Sequence, residues 1–524
     1  MAIQNLHVLK RHSTEQVRLS AVRDDDHGND KYAHIRAFNL SVPIDHFHND
    51  SLYEPHSDGT FPLRYYLDTS SYKPGGPVIV LASGETGIEA RLPYMQYGIL
   101  SILTRATGGV GVILEHRYYG TSFPVPNLET DNMRFLTTDQ ALADTAYFAR
   151  HVKFAGLEDE DVDLTARNAP WLIYGGSYAG AFAAFARVLY PDVFWGAISS
   201  SGVTQAIDDY WEYFSAARDW RGGECGRASQ QVTAVVDSVL LGGNRTAVAE
   251  LKGLFGMRDV ESDFDFATAL SFGVTGLQST NWDPEQDSSM FGRYCASVTA
   301  KIPLYSSLEH IRPAVEGLVR RAGVGDGFDP NQMLNYIAYI RFLTKEICGK
   351  RPIPDCVGPP PVDTGLSNPD FRSWMYQVCT QWGYFQTGSG TPASQPAMVS
   401  RAISLEASSA VCRAQFNITA RPDVSRINRH GGFNISYPRL AIVDGESDPW
   451  REATPHAAAA PARESTTSQP FILIEQGVHH WDEYGVRDDE QGQGLPPTSV
   501  AAAQESMVEF VRAWLKEWRG EQDL

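Results

Sequence analysis

The sequence predicts an α/β chain, a mostly parallel sheet flanked by helices and interrupted by a large helical insertion. Three observations predict it. Short continuous apolar runs at Val78–Ala82, Gly109–Leu114, Trp171–Tyr174 and Gly196–Ser199 alternate with helix-like stretches. That is the texture of strands buried on both faces and joined by crossover helices. The texture stops near Gln205 and resumes after about residue 425, with Leu440–Val443 and Phe471–Ile474. Between them lie all six cysteines, few strand-like runs and the Pro-rich Arg351–Pro361. The expected division is 1–205, the first part of the α/β domain; 206–425, an inserted, mainly helical, disulfide-stapled domain; and 426–524, the rest of the α/β domain. A chain of 524 residues has room for this, at about 150 residues per domain.

The elements follow in order. The first 60 residues are polar and loop-like apart from Ala37–Ile44. Phe61–Leu67 alternates as a strand does. Gly75-Gly76-Pro77 punctuates the chain before the run Val78–Ala82, and Gly109–Leu114 ends in Glu115-His116-Arg117-Tyr118-Tyr119-Gly120. Thr138–Val152 has helical spacing, with Leu142, Ala146, Phe148 and Ala149 on one apolar face. Trp171–Tyr174 reads as a strand, Ala181–Tyr190 as a helix and Gly196–Ser199 as the next strand. Within the insertion, Gln230–Leu241, Thr246–Leu254 and Gln332–Lys345 are helix-like. A closing amphipathic helix spans roughly Ser499–Arg519, burying Val500, Met507, Phe510, Val511, Trp514 and Leu515.

Composition excludes several classes. Hydrophobic residues at 43% and charged residues at 20% are those of a globular chain. The net charge of −19 repels phosphate backbones, so no nucleic acid is expected as a partner. No apolar stretch is long enough to span a membrane. The cysteines Cys225, Cys295, Cys348, Cys356, Cys379 and Cys412 share no metal-knuckle spacing. No metal and no cofactor are expected, and disulfides are. Five Asn-x-Ser/Thr sequons occur, at Asn39, Asn49, Asn244, Asn417 and Asn434, where chance would give about two. Cysteines and sequons together point to a secreted or lysosomal/vacuolar glycoprotein. Against this, the N-terminus from Met1 to His12 carries no apolar signal core. Either the signal is removed from, or missing in, this sequence, or the chain is not secreted; the first is the expectation. The charge fits an acidic compartment, where protonation would shrink it.

The chemistry centres on Gly175-Gly176-Ser177-Tyr178-Ala179-Gly180. It reads G-x-S-x-A, one methyl from the G-x-S-x-G elbow that lifts a nucleophilic serine on a sharp strand-to-helix turn. A strand-like run precedes it and a helix-like run follows, as an α/β-hydrolase fold requires. In that fold the order is serine, acid, histidine. The acid should follow a late strand. Asp448 does, with Asp444 and Glu446 as competitors. The base should follow the next strand, where His479 and His480 stand. Ser177 would be the nucleophile, His479 its base, and Asp448 the group that orients the imidazole. The backbone N–H of Tyr178 and one from Ser83-Gly84-Glu85, here assigned to Gly84, would form the oxyanion hole.

These residues resemble the serine peptidases of the lysosomal prolyl carboxypeptidase and dipeptidyl peptidase II family, which includes fungal acid prolyl endopeptidases. Five blocks carry the resemblance: Val42-Pro43-Ile44-Asp45-His46-Phe47, Glu115 to Gly120, Gly175 to Tyr178, Asp448-Pro449-Trp450, and Gly477-Val478-His479-His480. Weaker matches are Leu136 to Asp144 and Gln377-Val378-Cys379-Thr380. The blocks run in family order from about residue 40 to the C-terminus.

The resemblance implies an α/β-hydrolase domain with a helical domain capping the active site, and cleavage after proline, often at acidic pH. It places the catalytic histidine first in its pair, at His479, and puts Trp450 in the proline pocket, with Tyr178, Ala181 and Tyr384 as further pocket residues. It pairs Cys379 with Cys412 and Cys225 with Cys295; Cys348 with Cys356 follows by elimination. Two positions depart from the family pattern: Ala179 in the elbow, and Gln381 where a glutamate is usual. The expected function is a serine-type peptidase acting on peptides through an acyl-enzyme. Carboxypeptidase, dipeptidyl-peptidase and endopeptidase modes stay open, as does a homodimer. The alternatives are a carboxylesterase or lipase on the same fold, or a non-catalytic hydrolase-like binding protein.

Overall fold

The computed structural model describes residues 35–157, 162–324, 328–487, 490 and 494–522. The signal-region reading of Met1 to His12 lies outside the described residues.

The chain forms two compact units. The first takes the described part of its N-terminal third up to Ile207, the segment Asp363–Gly383, and everything from Ala420 onward. It holds an eight-stranded sheet. Its strands are β1 (Arg36–Pro43), β2 (Thr60–Asp68), β3 (Val78–Ala82), β4 (Val110–Leu114), β5 (Trp171–Gly176), β6 (Gly196–Ser200), β7 (Leu440–Gly445) and β8 (Phe471–Ile474). Their spatial order is β1-β2-β4-β3-β5-β6-β7-β8. β1 and β2 are antiparallel to their neighbours, and every pairing from β4 through β8 is parallel. This mixed order, with crossover helices between parallel strands, is the α/β-hydrolase fold that the elbow called for. β3, β4, β5, β6 and β7 are buried along their whole length, which is why they read as unbroken apolar or small-residue runs.

The helices between strands are α1 (Ile99–Thr107), α2 (Thr138–His151) and α3 (Tyr178–Leu189). α2 starts where Thr137 accepts the Gln140 N–H at 3.2 Å, a side-chain cap. A long closing helix spans Thr498–Gln522, with Val500, Met507, Val511 and Trp514 fully buried.

The segment Asp363–Gly383, which the sequence reading assigns to the insertion, packs with the sheet unit. Ser373 Oγ donates to Tyr118 O at 2.9 Å, Tyr119 donates to Gln377 Oε1 at 2.5 Å, and Trp382 Nε1 donates to Thr138 Oγ1 at 3.2 Å. Nothing in its local pattern distinguishes it from the insertion, because it is helical (Asp370–Gln377) and carries Cys379.

The second unit comprises Asp208–Val362 and Tyr384–Thr419 among the described residues. It is mainly helical, with helices over Glu224–Leu240, Arg245–Leu254, Asp263–Thr275, Met290–Thr299, Arg312–Ala322, Pro330–Cys348 and Leu405–Phe416. Its core is aromatic: Phe255, Phe266, Tyr294 and Tyr336 meet mostly edge to face at 5.5–6.2 Å. Disulfides join Cys225 to Cys295 and Cys348 to Cys356. Cys379 and Cys412 are also disulfide-bonded, and no cysteine is free. Among the described residues no helix is long and apolar enough to cross a membrane.

Candidate active site

Ser177 stands between β5 and α3 at φ 62°, ψ −126°. A non-glycine residue in that region is strained, and it persists only where its surroundings hold it. Here Ser177 N donates to Ser200 O at 2.9 Å, while Gly180 N and Ala181 N both donate back to Ser177 O. The turn needs Gly175: a Cβ there would sit 1.9 Å from Ala179 O. The serine side chain makes no capping bond to its own helix and is partly exposed. Tyr178 is the first helical residue, so its N–H has no intrahelical acceptor.

Gly84, φ +72°, lies against this turn. A Cβ on it would meet Ala179 Cβ at 3.3 Å and lie 3.9 Å from Ala179 N. This contact accounts for Ala179. The extra methyl of the elbow fits because the facing loop has none. Arg91 holds that loop in place, with Nε donating to Ser83 O at 3.0 Å.

The candidate acid and base stand in the loops after β7 and β8. His479 Nδ1 lies 2.9 and 3.1 Å from the two Asp448 oxygens. Both residues are buried, at 4% and 1% exposure. Burial alone would raise the Asp448 carboxyl, but the His479 charge and hydrogen bonds, with the Trp450 N–H, hold it below the usual range. His479 Nε2 has no hydrogen-bond partner among the described residues, so the second ring nitrogen is uncommitted. The competitors are engaged elsewhere. Asp444 Oδ2 is 2.6 Å from His456 Nδ1, Glu446 accepts the Gln476 N–H at the surface, and His480 Nδ1 is 3.0 Å from Glu483.

β6 ties these loops to the elbow. Ser200 carries the acceptor for Ser177 N. The next residue, Ser201, donates N–H to Val443 O and accepts the His480 N–H at 2.8 Å. No Ser177–His479 hydrogen bond is formed; that bond often tightens only when substrate is bound.

The remaining sequence-named residues are placed as follows. Trp450 is 6% exposed, with its ring centroid 6.5 Å from that of His479, and its N–H donates to Asp448 Oδ1 at 2.9 Å. Ala181 is fully buried in α3. The Tyr178 ring is buried between Trp374 and Trp382, at 5.4 and 5.2 Å. Tyr384, in the helical unit, is fully buried beside Tyr210 at 5.7 Å. Gln381 is 2% exposed and uses both ends of its amide: Nε2 donates to Leu136 O and Oε1 accepts the Thr138 N–H. A glutamate could not make the first of these bonds. All five sequon asparagines are exposed.

Sequence reasoning missed the layer beneath. His116 Nδ1–H donates to Arg117 O, and Tyr178 donates its hydroxyl to His116 Nε2 at 2.8 Å. Burial holds His116 near 4, hence neutral. Asp482 accepts from Ser200 Oγ and Tyr174 OH, both at 2.6 Å. Its neighbour Glu483 lies against Gly176, where a Cβ would meet Oε1 at 3.0 Å. Nothing local in Trp481-Asp482-Glu483 marks these carboxylates as buried, because both read as loop charges.

Asp482 gives a pH prediction. Burial pushes its carboxyl up to about 6, with the Glu483 charge adding and the two hydroxyl bonds offsetting only in part. Between pH ~4 and ~6 the folded chain therefore keeps a proton that the unfolded chain has released, so stability falls as pH rises through that window. A shift of about two units corresponds to roughly 3 kcal/mol. The expected result is a higher Tm at pH 5 than at pH 7, with the difference reduced in Asp482→Asn. Equal Tm values at the two pH values, or an unchanged difference in the variant, would contradict it.

Fold and elbow together define a serine hydrolase of the α/β-hydrolase fold. The chain belongs to the serine carboxypeptidase S28 family, which it matches over residues 43–274 and 362–494, and is a serine peptidase. It is 43% identical over 516 residues to a probable extracellular serine carboxypeptidase of Arthroderma benhamiae, covering 95% of this chain and 71% of that one. It is 30% identical to serine protease vicPa of Bipolaris victoriae, over 82% of each. It is 25% identical to the human thymus-specific serine protease, over 87% and 83%. Among solved structures, carboxyl esterase 2 of Tuber melanosporum is similar at a TM-score of 0.31, with 10% identity over 93% and 89%.

Proposed function

We propose that this chain is a secreted peptidase that cleaves after proline, using Ser177 as nucleophile, His479 as general base and acid, and Asp448 as the group that orients and stabilises the imidazolium. The observation that carries the reading is the buried Asp448–His479 pair with a free Nε2, beside a serine held at φ 62° on a strand-to-helix elbow. With Nδ1–H on Asp448, Nε2 is the tautomer's acceptor and can take the Ser177 proton as Oγ attacks a scissile carbonyl. The oxyanion that forms is met by the Tyr178 N–H and by the Gly84 loop. His479 then returns its proton to the leaving amine, and water reverses the sequence to release the acid product.

Trp450 supports the proline preference by its place: its ring centroid lies 6.5 Å from that of His479, and a flat indole suits a pyrrolidine ring. Disulfides and five exposed sequons support a secretory route and glycosylation. The relative named as extracellular supports it too. The engaged amide of Gln381 argues against a carboxylate there that would grip a charged substrate terminus.

One long Pro-containing peptide, digested at acidic and neutral pH and read by mass spectrometry, tests the proposal. Cleavage at Pro-X bonds is expected. Single C-terminal residues, N-terminal dipeptides or internal fragments then assign the mode. Cleavage without regard to proline, or hydrolysis of short acyl esters alone, would reject the prolyl reading.

A further inference from the structure

The turn after β1 holds a cluster that the reaction does not use. Asp45 is 2% exposed. Its Oδ1 accepts from Phe47 N at 2.9 Å and from Gln140 Nε2 at 2.7 Å. Those two donors fix the carboxylate plane and aim Oδ2 at His56, whose Nδ1 lies 2.7 Å away. His48 stacks on His56, with centroids 5.4 Å apart and planes at 27°. One ligand atom from each of Asp45, His48 and His56 lies within 4.8 Å of the other two. The exposed Asp58 has Oδ1 3.9 Å from His48 Nδ1.

We propose that Asp45, His48 and His56 form a binding site for a borderline divalent metal ion, with Zn2+ preferred. Two imidazoles and one carboxylate are a donor set suited to Zn2+ and poor for Mg2+ or Ca2+, which take oxygen. Bonds of about 2.0–2.1 Å need donors roughly 3.4 Å apart in a tetrahedron. His48 is half exposed, and rotation of its side chain would bring its ring toward Asp45, while the His56–Asp45 pair, now 2.7 Å apart, would open to the same spacing. The ion takes the place of the proton now shared by His56 Nδ1 and Asp45 Oδ2, and that proton moves to Nε2 or to solvent. Gln140 and the Phe47 N–H act as the outer partners that orient a ligating carboxylate. The fourth position is left to water or Asp58.

The test uses the intact protein, stripped with a chelator and titrated calorimetrically with Zn2+ at pH 7. Saturable binding is expected, with no comparable heat from Mg2+. His48→Ala should weaken that binding at least tenfold, and His56→Ala should do the same. His48 is exposed, so its variant carries the test even if His56→Ala folds poorly. Fluorophosphonate labelling of the elbow serine, unchanged in His48→Ala, checks that the chain is folded. Absence of saturable Zn2+ binding in the parent protein, or an affinity in His48→Ala within threefold of the parent, overturns the proposal.

Discussion

Replacing Ser177 by alanine is expected to lower peptidase kcat by ~10⁴–10⁶-fold and to abolish fluorophosphonate labelling, with Tm essentially unchanged. The rate loss follows because Oγ is the only atom proposed to form the covalent bond. What remains is water attack helped by the oxyanion donors. The unchanged stability follows from the local structure. The Ser177 side chain makes no capping bond to α3, so removing it costs the helix nothing. The strain at φ 62° is a backbone property that alanine bears equally, and the Ser177 N–H bond to Ser200 O survives. A variant that still labels, or that keeps more than about a thousandth of parental activity, would displace Ser177 as nucleophile. A variant that loses activity together with its fold would leave the serine's role structural.

The blocks that carried the family resemblance acquire a physical reason in the fold. Arg117 donates two bonds of 2.6 Å to the Asp144 carboxylate and others to Ile44 O, Pro43 O and Phe135 O. His46 Nε2 reaches the same carboxylate at 2.8 Å. Thus the Val42–Phe47, Glu115–Gly120 and Leu136–Asp144 blocks are three sides of one buried ionic knot. An unpaired charge at that depth is costly, so its members come as a set. Gly120 belongs to the set because a Cβ there would lie 1.9 Å from Glu115 Oε1.

Strands were legible because burial on both faces leaves a local signature, the run of five or six apolar or small residues. The element following Gly175 was legible because a strained serine needs small neighbours. Arg312–Ala322 carries a weaker signature, because four of its eleven residues are charged. The placement of Asp363–Gly383 was illegible for a different reason: it depends on partners more than 200 residues away, such as Leu136 for Gln381. The same holds for Asp482. Its carboxylate is defined by Ser200 and Tyr174, neither of which its own neighbourhood announces. Side-chain chemistry that is set by distant partners is invisible to local pattern.

Pattern alone leaves the acid of the site among Asp448, Asp444 and Glu446, and geometry separates the first two sharply enough to predict opposite outcomes. Asp448→Asn is expected to lower kcat by about 10⁴-fold with the fold intact. The Trp450 N–H lies 2.9 Å from Asp448 Oδ1 and demands an acceptor, which pins the asparagine carbonyl on that side. The amide NH2 is then turned toward His479 Nδ1, in the place of the oxygen now 2.9 Å away. An NH2 there favours the tautomer with its proton on Nε2, which cannot accept the serine proton. Raising the pH should not restore the rate, because the defect is the tautomer and not a protonation. Asp444→Asn should do the reverse. Asp444 and His456 form a buried pair at 2.6 Å, and His456 stacks on Phe471 at 3.6 Å at the start of β8. Disturbing that pair removes a buried hydrogen bond, so stability should fall by ~1–3 kcal/mol while kcat stays within a few-fold. Measuring kcat and Tm for both variants decides the matter. An active Asp448→Asn beside an inactive, stable Asp444→Asn would move the acid to the other loop carboxylate.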